Sequence, residues 1–147
     1  MLFTVVKFTH LISLLLLFSA SLAKNLLLLD RPVNESAISK CRTADRVSGV
    51  AAVFIVVSGA GLIYLSPKGM DSYTANSSLW IKVAVLILAS ALIVKTKVYF
   101  RVAAKSAVPA LIDVPAVIPS ILKLDLGSLV VMTYLGVLVA YGIGIRI

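Results

Sequence analysis

A single histidine, His10, sits in an otherwise apolar N-terminal stretch, with Lys7 three residues before it and Ser13 three residues after. Ser21 and Lys24 extend the series by eight and three residues, spacings that keep all five near one face of a helix. Because an ionisable side chain is costly in hydrocarbon, such a stripe should look into a helix bundle and mark a site. An imidazole nitrogen can ligate a haem iron or a transition metal; the alternative is a hydrogen bond to a Ser or a backbone carbonyl of a neighbouring helix. Lys82, two positions after Trp80, is the second such residue. Its stem can run along the helix to the headgroups, or its ammonium can flank one ligand together with His10. His10 and Lys82 are therefore the candidate cofactor-binding pair, with His10 as the candidate metal ligand; the cofactor stays open, haem b being one of the groups such a histidine can hold. Met132 and Met70 are weaker second axial candidates, since thioethers are also ordinary packing material. No residue stands out as catalytic.

Other chemistries find little support. With one cysteine, Cys41, neither an internal disulfide nor a thiolate metal cluster can form. One histidine excludes a two-histidine metalloprotease motif, and there is no CxxCH, no phosphate-binding GxxxxGK[ST] and no GxSxG elbow. A proton-coupled antiporter needs an embedded carboxylate, yet Asp45 and Asp125 fall at the ends of the apolar runs and not inside them.

The elements that must position His10 and Lys82 follow from the solvent. Of 147 residues 61% are hydrophobic and only 14% charged, with a mean hydropathy of +1.08, which marks an integral membrane protein. The net charge of +8 sits in the links between apolar runs, where it sets topology, so nucleic acid is not an expected partner. A hydrocarbon layer about 30 Å thick takes roughly 20 helical residues, and every backbone group in it must be paired internally. Residues 47–65 and 79–94 are two such runs joined by a short polar turn, so they must form a helical hairpin. The expected architecture is all-α, one membrane domain with spans at about 5–29, 47–65, 79–100 and 126–145.

Residues 5–29 also imitate a secretion signal, with small residues at Ser19, Ala20, Ser21 and Ala23. Resumption of apolar sequence after that point, and the imidazole within it, favour retention as the first span. In the link 30–46, Pro32 cannot continue a helix, and Asn34-Glu35 resembles the start of a short surface helix. Ser48, Ala52 and Gly59 put small residues on one face of the second span, which lets a neighbour approach closely or simply reflects membrane composition. Pro109, Pro115 and Pro119 argue that 106–125 is an interfacial or re-entrant connector before the last span. Lys24, Arg31, Lys40, Arg42 and Arg46 border the first link and Lys95, Lys97, Arg101, Lys105 and Lys123 the third, against Lys68 alone in the second. The excess puts links one and three in the cytoplasm and both termini outside, in a bacterial inner membrane. The lipid bilayer is the expected partner, together with a second copy or a membrane-complex subunit.

Ala44-Asp45 followed by Gly49, then Gly59, Lys68-Gly69, Tyr73, Asn76 and Trp80-x-Lys82 form a pattern across residues 24–100. With Tyr141-Gly142 near the end, it resembles a family of small bacterial integral membrane proteins known as a domain of unknown function. Leu62 and Thr74 depart from it, where Arg and Tyr are usual. More remotely, a His in the first helix and an aromatic-x-Lys opening a later one are similar to the membrane-integral, haem-containing protoporphyrinogen oxidases. That resemblance implies His10 as haem ligand with Lys82 as its functional partner. The copper-resistance membrane proteins are another distant likeness, without their extra metal-binding residues. The resulting expectation is a non-catalytic membrane protein that binds a small ligand or serves as a subunit, with a haem redox protein or a small transporter as alternatives.

Overall fold

A computed structural model describes residues 1–29, 32–103 and 111–143, and it is helical throughout its long elements. Arg31, Lys105 and Pro109, used above for topology and for the connector, lie outside the described residues. Four helices, α1 (Leu2–Leu27), α2 (Glu35–Tyr64), α4 (Ser77–Ala103) and α5 (Val117–Tyr141), are each long and apolar enough to cross a membrane. A single-turn helix, α3 (Asp71–Thr74), lies in the turn between α2 and α4. Helices α1 and α2 pair along their length, as do α4 and α5; narrower α1–α5 and α2–α4 seams close the ring. One end carries the α2–α4 turn and the start of α1; the other carries the two longer links.

Local chemistry explains the boundaries. The Asn34 side chain accepts a hydrogen bond from the Ala37 amide at 2.9 Å, capping α2, and Glu35 adds a carboxylate to its first turn. The expected short surface helix is not separate: nothing between Glu35 and Val47 breaks the backbone, so it runs straight on into the span. At 30 residues α2 is about 45 Å long, well beyond the hydrocarbon thickness. The connector is likewise shorter than expected, because α5 starts at Val117 with Pro119 in its first turn, where a missing amide proton costs no helical bond. It ends at Gly142, whose φ of +72° suits a residue without Cβ, and the Gly142 and Ile143 amides return to the Leu138 and Val139 carbonyls. Lys68 donates at 2.8 Å to the Ala140 carbonyl, bringing a cation to that helix end. Trp80 is exposed beside the turn, its indole donating to the Thr74 carbonyl at 2.8 Å.

At the opposite end the two links meet. Val33 and Ile112 exchange backbone hydrogen bonds of 3.0 and 2.8 Å, an antiparallel bridge that ties link one to link three. Leu28, Val33, Ile38, Cys41, Phe100, Val114, Ile118 and Leu122 bury themselves around it as an apolar cap. Elsewhere the apolar side chains point outward: Leu15, Val53, Leu88 and Val130, one from each long helix, are all more than half exposed. That inversion suits a chain whose outer solvent is lipid, and it leaves the interior to small and polar residues.

Candidate functional site

The expected stripe on α1 faces inward for most of its length. Ser13, Ser21 and Lys24 are buried and His10 is half-buried, whereas Lys7, a turn nearer the helix start, is exposed. These residues meet the rest of the bundle in two polar layers, with Ala51 and Ile55 buried between them on α2. From Ser48 to Ser58 the layers are about 15 Å apart along that helix.

The layer nearer the turn contains both residues singled out from the sequence. His10 Nδ1 lies 3.0 Å from Ser58 Oγ on α2. Ser58 has one hydroxyl proton and directs it back to the carbonyls of its own helix at Phe54 and Ile55. Its oxygen is thus left to accept, so Nδ1 carries the proton and Nε2 keeps the lone pair. A Cβ on Gly59 would stand 3.5 Å from the ring carbon Cε1, an ordinary van der Waals separation, so the imidazole lies directly against α2 at this residue. This is the close approach that the small residues of α2 imply. Lys82 is half-buried and does not simply run up its own helix: a Cβ on Gly136 of α5 would come within 3.1 Å of Nζ. Its ammonium lies in the α4–α5 seam, near enough for the His10 ring to feel its charge. No carboxylate among the described residues pairs with it. Met132 is buried on α5, one turn before Gly136, while Met70 is exposed in the turn and placed for packing against nothing inside.

The second layer, nearer the links, was not foreseen. Lys24 of α1 and Asp45 of α2 form a buried ion pair, Nζ to Oδ1, at 2.8 Å. Ser21 donates to Asp125 Oδ2 of α5 at 2.6 Å, and the Asn25 amide bridges α1 to α5 through the Ser21 and Leu122 carbonyls. Lys97 of α4 reaches across to α2, where a Cβ on Gly49 would be 3.5 Å from its ammonium. Each long helix therefore contributes one charged residue to this layer. Asp45 and Asp125, read from the sequence as bordering the spans, are both inside long helices and buried. That correction removes the ground on which proton coupling was set aside. A signal was present in Ala44-Asp45 and in the Ser21/Lys24 spacing, but which carboxylate the stripe would meet depends on helix register. Among the described residues no three His, Cys, Asp or Glu side chains gather as a metal cluster, so a polydentate protein site for a metal does not arise there.

These features define a multi-pass, all-α membrane protein in contact with lipid, with ionisable groups held inside a four-helix bundle. The chain belongs to the family described as Predicted membrane protein (DUF2214), which matches residues 3–144. No curated protein and no solved structure matches it.

Proposed function

We propose that the protein binds a small anionic ligand inside the bundle, between His10 and Lys82, and that it does so without catalysing a reaction on it. The observation that carries this reading is the unpaired ammonium of Lys82, half-buried beside a histidine in a layer where no described carboxylate offsets it. An intramembrane cation without a counter-ion is costly, and an anion from outside the chain would balance it. The links hold most of the basic residues, which supports a bacterial inner-membrane location with links inward and both termini outward. A homo-oligomer or a larger membrane complex is the setting proposed for such a subunit.

The second reading, a haem b protein resembling protoporphyrinogen oxidase, is favoured by the histidine tautomer. With Nδ1–H held by Ser58, the Nε2 lone pair is the one available to an iron, the arrangement in which a neighbouring hydrogen bond orients a metal-bound imidazole. These donors fit haem: His10 would hold the iron and Lys82 a propionate, and haem would supply electron-transfer chemistry. A transporter, the third class, needs a continuous polar path, and Ala51 and Ile55 interrupt it on α2.

Native mass spectrometry of detergent-purified wild-type protein, with an absorbance spectrum of the same sample, tests both. An anionic adduct that disappears in Lys82→Met is the expected result. A Soret band lost in His10→Ala would identify that ligand as haem. Protein from haem-replete cells that is colourless rejects haem, and adduct-free wild type rejects ligand binding.

A further inference from the structure

The layer near the links asks for a proton. Asp45 Oδ1 receives the Lys24 ammonium, but Asp45 Oδ2 is fully buried with no hydrogen-bond partner among the described residues. A carboxylate oxygen left without a donor in such a place bears its full desolvation penalty. The neutral side chains of the layer direct their protons elsewhere. Ser21 spends its hydroxyl on Asp125, Asn25 spends its amide on two carbonyls, and Ser48 donates to the Ala44 carbonyl. Asp125, the other acid of the layer, accepts only a neutral hydroxyl and has no ammonium paired to it. It is close enough to sense the charges of Lys24, Asp45 and Lys97.

We propose that Asp125 carries one exchangeable proton beside the unsatisfied Asp45 oxygen, which makes the link end of the bundle a proton-exchange site. Two carboxylates in mutual range disfavour simultaneous ionisation, and a proton on Asp125 supplies the donor that Asp45 Oδ2 lacks, directly or across one water. In the step itself an O–H bond forms at the Asp125 carboxylate and an O–H bond of a hydronium ion breaks, leaving water; release is the reverse. The groups facing the pair are Lys24 from α1, Lys97 from α4 and the Cys41 thiol one turn away on α2. With both acids ionised the two lysines and two aspartates cancel in charge, and the bound proton leaves one positive charge. Lys97 is half-buried, its ammonium set against Gly49 one turn further along α2 than Asp45. The site draws on different residues from the His10–Lys82 pair and stands whether or not that pair holds a ligand.

The test is infrared difference spectroscopy of the full chain in liposomes, titrated with pH, with aspartate labelled with carbon-13 at the carboxyl. The exposed acids Asp71 and Asp113 give solvent-like bands, Glu35 is unlabelled, and an Asp30→Asn background takes the fifth aspartate out of the labelled set. The expected result is one further aspartic-acid band, of a buried carboxyl, that titrates, is lost in Asp125→Asn and shifts in Asp45→Asn. If Asp125→Asn does not fold, Asp125→Glu serves instead and removes the band from the labelled set. No buried aspartic-acid band in the wild type, or a band unchanged in the Asp125 variants, would overturn the proposal and leave a permanently ionised structural quartet.

Discussion

Lys24 and Asp45 show what a side chain inside this bundle costs when its partner is taken away. Both are buried and their contact is 2.8 Å, so Lys24→Met alone or Asp45→Leu alone strands a charge. Each should lower unfolding stability in detergent by about 3–5 kcal/mol, whereas the double variant should regain most of it, because an apolar pair of similar volume needs no desolvation. Chemical unfolding of the four proteins checks this, and additive losses would contradict the pairing. Gly136 makes a finer test of Lys82. A Cβ at that position would meet only the end of a flexible side chain at 3.1 Å, so Gly136→Ala should keep the fold and push the ammonium aside. Its expected signature is wild-type thermal stability with the anionic adduct weakened; an adduct of undiminished strength would place the ligand elsewhere.

At the scale of elements, the α2 cap and the bridge between links make the clearest predictions. Asn34→Ala removes a hydrogen bond to the Ala37 amide and should cost about 1 kcal/mol, seen as faster amide exchange in residues 35–38 with the span itself unaffected. The Val33 and Ile112 amides should exchange as slowly as those of a helix although both lie in links, since each donates to the other residue's carbonyl. Fast exchange at both would contradict the bridge. These same elements show where sequence reading stops. The four long apolar helices were legible because hydrocarbon sets a minimum length for a span, and so was the Asn34 cap, because it is local. That residues 35–46 continue the span was not, because polar composition marks an interfacial helix as readily as the protruding turns of a long one. Pro119 misled for a related reason, since a proline in the first turn of a helix and one that ends a helix look alike without the neighbouring backbone.

For the molecule as a whole, the family pattern and the apolar exterior agree on a bundle that lipid surrounds. Half of the interior was legible. His10 could be placed inward from its stripe, since helical spacing needs only one helix; the joining of Asp45, Asp125, Lys24 and Lys97 needs all four in register. Both links meet at one end, so any orientation puts Lys40 and Lys123 on the same side and Lys68 on the other. With the basic links inward, an impermeant thiol reagent on intact spheroplasts should label Lys68→Cys and spare Lys40→Cys, each in a Cys41→Ser background. The reverse pattern would invert the topology without disturbing the bundle.

The His10–Lys82 layer exists only if the lone imidazole is turned into the bundle with one nitrogen held by Ser58. Because the chain has a single histidine, nitrogen-15 NMR of selectively labelled protein in lipid reports His10 alone. The predicted spectrum is that of a single tautomer protonated at Nδ1, which collapses to a mixture in Ser58→Ala. A wild-type ring that already exchanges between tautomers, and is indifferent to Ser58→Ala, would contradict it.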